Sequence, residues 1–313
     1  VYRFALRRLL ATIPVMGVVA VFVFLLLHLT PGDPAAVIAG NYATAEDIAR
    51  IHERLGLNRP IYEQFGTWLW HVLHGDLGRS IFSNVPVTEL IAQHLEPTLS
   101  LALGGITIAI LIALPLGILA AWRAGTWTDY AVMAFSVLGF SVPVFIIAYL
   151  LIFLLSVHLH WFPVQGFTSL GEGLLPFLRS VALPSVGLGL LYAALIARIT
   201  RASLLRVLTQ DYIRTAYAKG LSPAVVVNRH ALKNAAVPIV TIIGAGFALL
   251  IGGVVVTESV FNIPGLGRLV VDAVLQRDYP VIQGLILIFS AVYVVINLLV
   301  DLSYALFDPR IRY

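Results

Sequence analysis

The residues of this chain that could do chemistry are few and widely spaced. His71 and His74 share one helical face, and His158 and His160 bracket the end of an apolar run. Such pairs begin a metal site only when further ligands join them, and here no carboxylate completes a convincing set. Hydrogen bonding at a wet interface is the plainer reading. Glu258, Asn297 and Asp301 stand near the ends of apolar runs. An ionisable group inside a bilayer is a functional candidate by default, with hydrogen bonding between helices or an interfacial position as the alternative. There is no cysteine, which excludes disulfides, thiolate metal sites and thiol catalysis. No G-x-x-x-x-G-K-[ST] and no H-E-x-x-H occurs, and no Ser/His pair has a recognisable catalytic context. An enzyme therefore has nothing to work with in this sequence.

The densest polar string is different in kind. It runs Asp211-Tyr-Ile-Arg-Thr-Ala-Tyr-Ala-Lys-Gly220, then Leu-Ser-Pro223, then Asn228-Arg-His-Ala-Leu-Lys-Asn234 and Ala-Ala-Val-Pro238. Its first part reads as a short polar helix that Asp211 caps as an N-terminal acid and that Gly220 ends through a φ > 0 conformation. Ser222-Pro223 opens a second helix, since proline is tolerated where its N–H would be unsatisfied anyway. A helix–turn–helix of this kind is a rigid handle for another protein.

The elements that position this handle are apolar spans. Hydrophobic residues make up 59% of the chain and charged residues 12%, too few charges to cover a water-facing surface. Six runs are long enough to cross a hydrocarbon core, near Leu9–Leu29, Leu99–Ala121, Tyr130–Val157, Leu183–Ile199, Val237–Val256 and Val281–Leu302. The first is longer than a signal-peptide core and reads as a retained helix. The loops fix an orientation. With the N-terminus inside, thirteen of the 20 basic residues and four of the 16 acidic ones fall on the cytoplasmic side, which places both termini there. The net charge of +4 is thus an orientation signal, not a nucleic-acid footprint. The expected organisation is an N-terminal transmembrane helix over 1–30, an external loop subdomain with amphipathic helices over 31–98, and a five-helix core over 99–313 that contains the internal loop 200–236.

Within the external loop, Thr44 can begin a helix with Glu46 and Asp47 in its first turn and Ile48, Ile51 and Leu55 on one face, ended by Gly56. Pro60 to His74 carries Ile61, Phe65, Trp68, Leu69 and Val72 at helical spacing, which suits a helix on the membrane interface with Trp68 and Trp70 at headgroup level.

On these strings the chain resembles the permease subunits of ABC importers, in particular the peptide/nickel branch of the type I importers. The resemblance covers essentially the whole sequence. The internal loop lines up with the superfamily's Glu-Ala-Ala…Gly signature, with Gly220 at the glycine and Arg214, Thr215 and Ala216 at the Glu-Ala-Ala positions, so that only Ala216 is literal. Tyr-Ile-Arg-Thr-Ala and Arg-His-Ala-Leu-Lys-Asn are the wording of the peptide branch. Gly75-Asp-Leu-Gly78 with Ser80, Glu258-Ser-Val-Phe-Asn-Ile-Pro-Gly-Leu-Gly267 with Arg277-Asp-Tyr-Pro280, and the terminal Asp301…Phe307-Asp-Pro-Arg310 resemble that branch in the same order.

The resemblance implies an all-α fold of six transmembrane helices in a multi-pass protein of the bacterial inner membrane. It implies a coupling helix built on Asp211, Tyr212, Arg214, Thr215, Ala216, Lys219 and Gly220, docking on a cytoplasmic ATPase subunit. Arg201 and Arg206 are further candidates to meet acidic ATPase residues. ATP and Mg belong on those partner subunits, and this chain binds no cofactor. A homologous second permease and an external solute-binding protein complete the assembly. The small residues Gly244, Ala248 and Gly252 recur every four positions and read as close helix packing, as the pathway and permease interface, or as both. The cargo expected is a di- or oligopeptide, with nickel or a glutathione-like solute as alternatives. An ion-coupled secondary transporter is the rival class, but the centres of the spans hold no Asp, Glu, Lys or Arg.

Overall fold

Long uncharged runs can satisfy their backbone groups away from water only by coiling into helices. The computed structural model describes residues 2–29, 35–36 and 44–307, and five of the six runs are continuously helical in it, the third being interrupted at Val142 and Pro143. In chain order the helices are α1 (Tyr2–Leu29), α2 (Ala45–Leu55), α3 (Ile61–Leu73), α4 (Val87–Trp122), α5 (Trp127–Ser141), α6 (Val144–Leu151), α7 (Leu174–Leu208), α8 (Asp211–Ala218), α9 (Pro223–Val225), α10 (Leu232–Val260), α11 (Leu266–Gln276) and α12 (Tyr279–Phe307). A π-helical stretch, Ile152–His158, prolongs α6, and another, Val226–Ala231, joins α9 to α10 without a break.

Five helical stretches are each long and apolar enough to cross a membrane: Leu6–Leu29, Val87–Trp122, Leu174–Leu208, Pro223–Leu250 and Tyr279–Tyr304. The pair Trp127–Ser141 and Val144–His158, bent by 100°, makes a sixth where it is counted as one span. The length of the apolar run Tyr130–Val157 predicts one continuous segment there. Pro143 breaks it, because a residue before proline is driven out of the α region, and Val142 sits at φ −89°, ψ 124°. The second span also begins earlier than expected. Residues 87–98 are helix rather than the end of the external loop. Thr30, the head of that loop, and the C-terminal string from Asp308, with Arg310 and Arg312, lie outside the described residues.

By contact the chain divides into two units, which differ from a simple linear division. One comprises the start of α1 up to Leu6, residues 96–268 and the last helix from Val295, and the other residues 7–95 and 269–294. In the first, α4, α6, α7 and α10 enclose a core that includes Leu101, Leu183, Leu188, Ile196, Leu250 and Phe261. Small residues let α4 and α7 approach closely. A Cβ on Gly117 would stand 2.7 Å from the Cβ of Thr200, and one on Gly189 would stand 2.8 Å from Cγ2 of Ile108.

In the second unit, α2 begins where expected, with the Ile48 N–H donating to the Thr44 carbonyl at 3.1 Å, and Gly56 at φ 67° follows its end. The side chains of Asp47, Ile51 and Leu55 lie outside those described. Part of the apolar face expected of α3 packs on α1, while Ile61 stays exposed. The Phe24 ring lies 5.3 Å from Phe65 and 5.7 Å from Trp68, so of the two tryptophans only Trp70 is well exposed. Farther on, the Ser80 hydroxyl donates to Oδ2 of Asp278 at 2.5 Å and the Ile81 N–H donates to Oδ1 at 3.2 Å. That buried carboxylate fastens the Gly75–Ser80 string to the Arg277–Pro280 string.

Candidate functional site

The site begins with a helix of eight residues, too short to persist alone in water. Packing holds α8 in place. Ile213 and Ala216 face inward, into a small cluster with Leu204, Val226, Ala231, Ala235 and Ile239 drawn from α7, the π-helical stretch and α10. Burying Ile213 alone, at 1% exposure, contributes about 2–3 kcal/mol. Asp211, Tyr212, Arg214, Thr215, Lys219 and Gly220 face outward. Of the seven residues expected to form this handle, six are thus on the open face, and Ala216 is its anchor.

One expectation about this loop changes in detail. Gln210, not Asp211, occupies the N-cap, and its side chain makes no capping hydrogen bond. Asp211 sits one position inside, where its charge suits the helix dipole, and it pairs loosely with Arg214 at 3.4 Å. The C-terminal end follows the sequence reading. Lys219 is the C-cap, its N–H donating to the Thr215 carbonyl while the Gly220 N–H donates to that of Tyr217, and Gly220 sits at φ 77°. Ser222 and Pro223 take the N-cap and N1 positions of α9. Desolvation pushes the Tyr212 phenol above its ordinary value, an effect the nearby Asn234 side chain partly offsets.

Arg201 is not free to meet another protein. Its Nη2 donates to Oδ2 of Asp129 at 2.6 Å and its Nε donates to Oδ1, while the Gly125 N–H adds a third bond to the carboxylate at 3.0 Å. Asp129 is 2% exposed. This bidentate pair ties the start of α5 to α7, two turns before α7 runs into the loop carrying α8. Sequence reasoning missed it because the partners stand 72 residues apart. The available signal was that Asp129 is the lone acid in the first turn of a span.

Glu258 forms the expected helix-to-helix bond and more. It is fully buried, and the Thr98 hydroxyl donates to its Oε1 at 2.6 Å. The Leu266 N–H donates to Thr98 Oγ1 at 2.7 Å, and the Arg268 N–H donates to Glu258 Oε2 at 2.9 Å. One carboxylate and one hydroxyl thereby join α4, α10 and the start of α11. A Cβ at Gly265 would overlap this carboxylate, and one at Gly267 would stand 2.6 Å from the Cα of Val255. The glycines of that string are thus required by close approach.

The small-residue stripe divides. A Cβ on Gly244 would overlap Val300 of α12, Ala248 is half-buried, and Gly252 is exposed with nothing within 4 Å. Gly244 therefore packs inside the chain, whereas Gly252 faces outward. His71 and His74 take ordinary partners. His71 Nδ1 lies 3.4 Å from Asp76 Oδ2, and His74 Nδ1 bonds the Trp70 carbonyl at 2.8 Å. Among the described residues no three His, Cys, Asp or Glu side chains gather as metal ligands.

An apolar bundle with an anchored, outward-facing helical handle is the arrangement of a transport-system membrane subunit, and the chain belongs to that class. Residues 113–313 match the family of binding-protein-dependent transport system inner membrane components, and residues 1–102 match its N-terminal companion. Members are non-catalytic membrane subunits of ABC transporters.

The relatives are similar along their full length. A probable peptide ABC transporter permease of Sinorhizobium fredii is 54% identical over 310 residues, 99% of each chain. A putative peptide transport system permease of Brucella abortus is 47% identical over 308 residues, 98% of each. A glutathione transport system permease of Salmonella choleraesuis is 46% identical over 310 residues, 99% of each. Among solved structures, a chain of the MetNI methionine ABC transporter in inward-facing conformations aligns with a TM-score of 0.55 at 20% identity. The alignment covers 70% of this chain and 96% of that one, and it shows the type I permease fold.

Proposed function

We propose that this chain is one of two homologous permease subunits of an ATP-driven importer of peptides and forms half of the translocation pathway. The observation that carries the reading is α8, anchored through Ile213 and Ala216 while it turns Asp211, Tyr212, Arg214, Thr215 and Lys219 outward. Such a helix serves as the coupling helix for a separate ATPase subunit that holds ATP and Mg. The charge balance of the loops supports a cytoplasmic location for α8 and both termini. Gly252 and Ala248 suit the pathway face or the contact with the second permease. An external solute-binding protein delivers the cargo. The names of the 54% and 47% identical relatives support a peptide as cargo, and the 46% identical relative supports glutathione, itself peptide-like, as the narrower second reading.

The test is uptake of labelled di- and oligopeptides, with glutathione in parallel, in cells with and without the gene, before and after ATP depletion. Loss of ATP-dependent peptide uptake in the deletion is expected. Loss of glutathione alone selects the second reading. Uptake through the chain that survives ATP depletion refutes the class.

A further inference from the structure

At the end of α7 remote from α8 lies an open groove of about 650 Å³. One wall is a single face of α7, carrying Leu175, Leu178, Arg179 and Ala182 at helical spacing. The other is the turn after the π-helical stretch, carrying His160, Trp161 and Phe162. That turn has a defined form, with His160 at φ 55° and the Trp161 N–H donating to the Leu155 carbonyl at 2.9 Å. The lining is mostly apolar yet open: Trp161 and Leu175 are 62% exposed and Leu178 is 49% exposed.

Arg179 sets the depth of this groove. The eighteen residues from Ser180 to Ala197 carry no charge, and Arg198 follows them. At the rise of an α-helix, Arg179 and Arg198 are about 28 Å apart along α7, close to the thickness of a hydrocarbon core. Arg179 therefore stands at the boundary between acyl chains and headgroups. Helical side chains lean toward the N-terminus, so its guanidinium reaches outward to headgroup level while Leu178 and Ala182 lie at or below it. A tryptophan at the same level is the usual amphipathic companion of that zone.

The charge also points one way. No acid pairs with Arg179 among the described residues. Glu96 and Glu172 have partners of their own: Glu96 accepts from the Ser169 hydroxyl at 2.8 Å and from the Leu170 N–H at 2.9 Å, and Glu172 accepts from the Ser169 N–H at 3.1 Å.

We infer that this groove is a binding site for an anionic phospholipid, with Arg179 on the phosphate, Trp161 beside the glycerol esters and an acyl chain along Leu178 and Ala182. A guanidinium matches a phosphate by paired hydrogen bonds, and an apolar floor leading from it into the bilayer matches a lipid rather than a free anion.

The importer purified through this chain, stripped of lipid in detergent, is titrated with phosphatidylglycerol or phosphatidylcholine, and bound lipid is counted by native mass spectrometry. Phosphatidylglycerol is expected to be held about fivefold more tightly, the preference of one interfacial cation. Arg179→Gln removes the preference, Arg179→Lys keeps part of it, and Ala182→Trp fills the floor and weakens both lipids without changing charge. The inference is overturned if Arg179→Gln retains the preference. It is equally overturned if millimolar inorganic phosphate displaces the lipid completely, which marks a free-anion site. Absence of bound lipid from the assembled importer also overturns it, because another chain then covers the groove.

Discussion

Replacing Gly220 tests the coupling role of α8 at its most sensitive joint. The glycine sits at φ 77°, and an added Cβ would meet no atom within 4 Å. The cost of a substitution is therefore purely one of backbone conformation. A left-handed residue other than glycine costs about 1–2 kcal/mol, with asparagine at the low end and a β-branched residue at the high end. That energy changes the local folding equilibrium of the turn by a factor of about 5–30. Gly220→Val should accordingly raise amide exchange across α8 and α9 by about that factor, with Gly220→Asn much nearer to the parent. In proteoliposomes containing the complete importer, substrate moved per ATP hydrolysed should fall in the order Gly, Asn, Val at equal protein levels. Unchanged exchange in Gly220→Val would refute the strain argument. Raised exchange with unchanged substrate per ATP would refute the coupling role while leaving the strain argument intact.

Three further outcomes follow from the buried polar contacts. Asp129→Ala leaves the Arg201 guanidinium partly buried without its carboxylate, and thermal unfolding should show a loss of about 3 kcal/mol. The double variant Asp129→Ala with Arg201→Met should be less destabilised than the single one, and simple additivity would contradict the pairing. Gly265→Ala should push the Glu258 carboxylate off Thr98 and destabilise the protein more than Thr98→Val, which removes one donor at about 1–3 kcal/mol. Asp278→Asn should loosen the segment around Ser80, seen as faster protease cleavage between Gly75 and Pro86, with Ser80→Ala giving a smaller change.

What the sequence could express depended on range. Features decided by neighbours along the chain were legible: the left-handed Gly220, the Ser222–Pro223 helix start, the end of α2 at Gly56 and the apolar spans themselves. Each rests on local propensity or on a length that the bilayer sets. The break at Pro143 was readable in principle, since the residue before a proline leaves the helix, but the apolar run around it hid the signal. Long-range pairings were not legible. Nothing near Arg201 announces Asp129, and nothing near Glu258 announces Thr98, 160 residues away. The use of an apolar face was equally hidden. Phe65 and Trp68 have the spacing of a lipid-facing stripe, and only the fold reveals that Phe24 covers them.

The unbroken join between α9 and α10 has a mechanical consequence. From Pro223 through the π-helical stretch to Val260 the backbone stays helical, a rod about 55 Å long at the usual helical rise. A rod turns a small angular input at one end into a large excursion at the other. Tilting it by about 5° about one end moves the far end by about 5 Å, roughly the pitch of one helical turn. The π-helical stretch and Pro238 are the places where such a rod can bend, so they set how much of a tilt at α9 reaches Glu258.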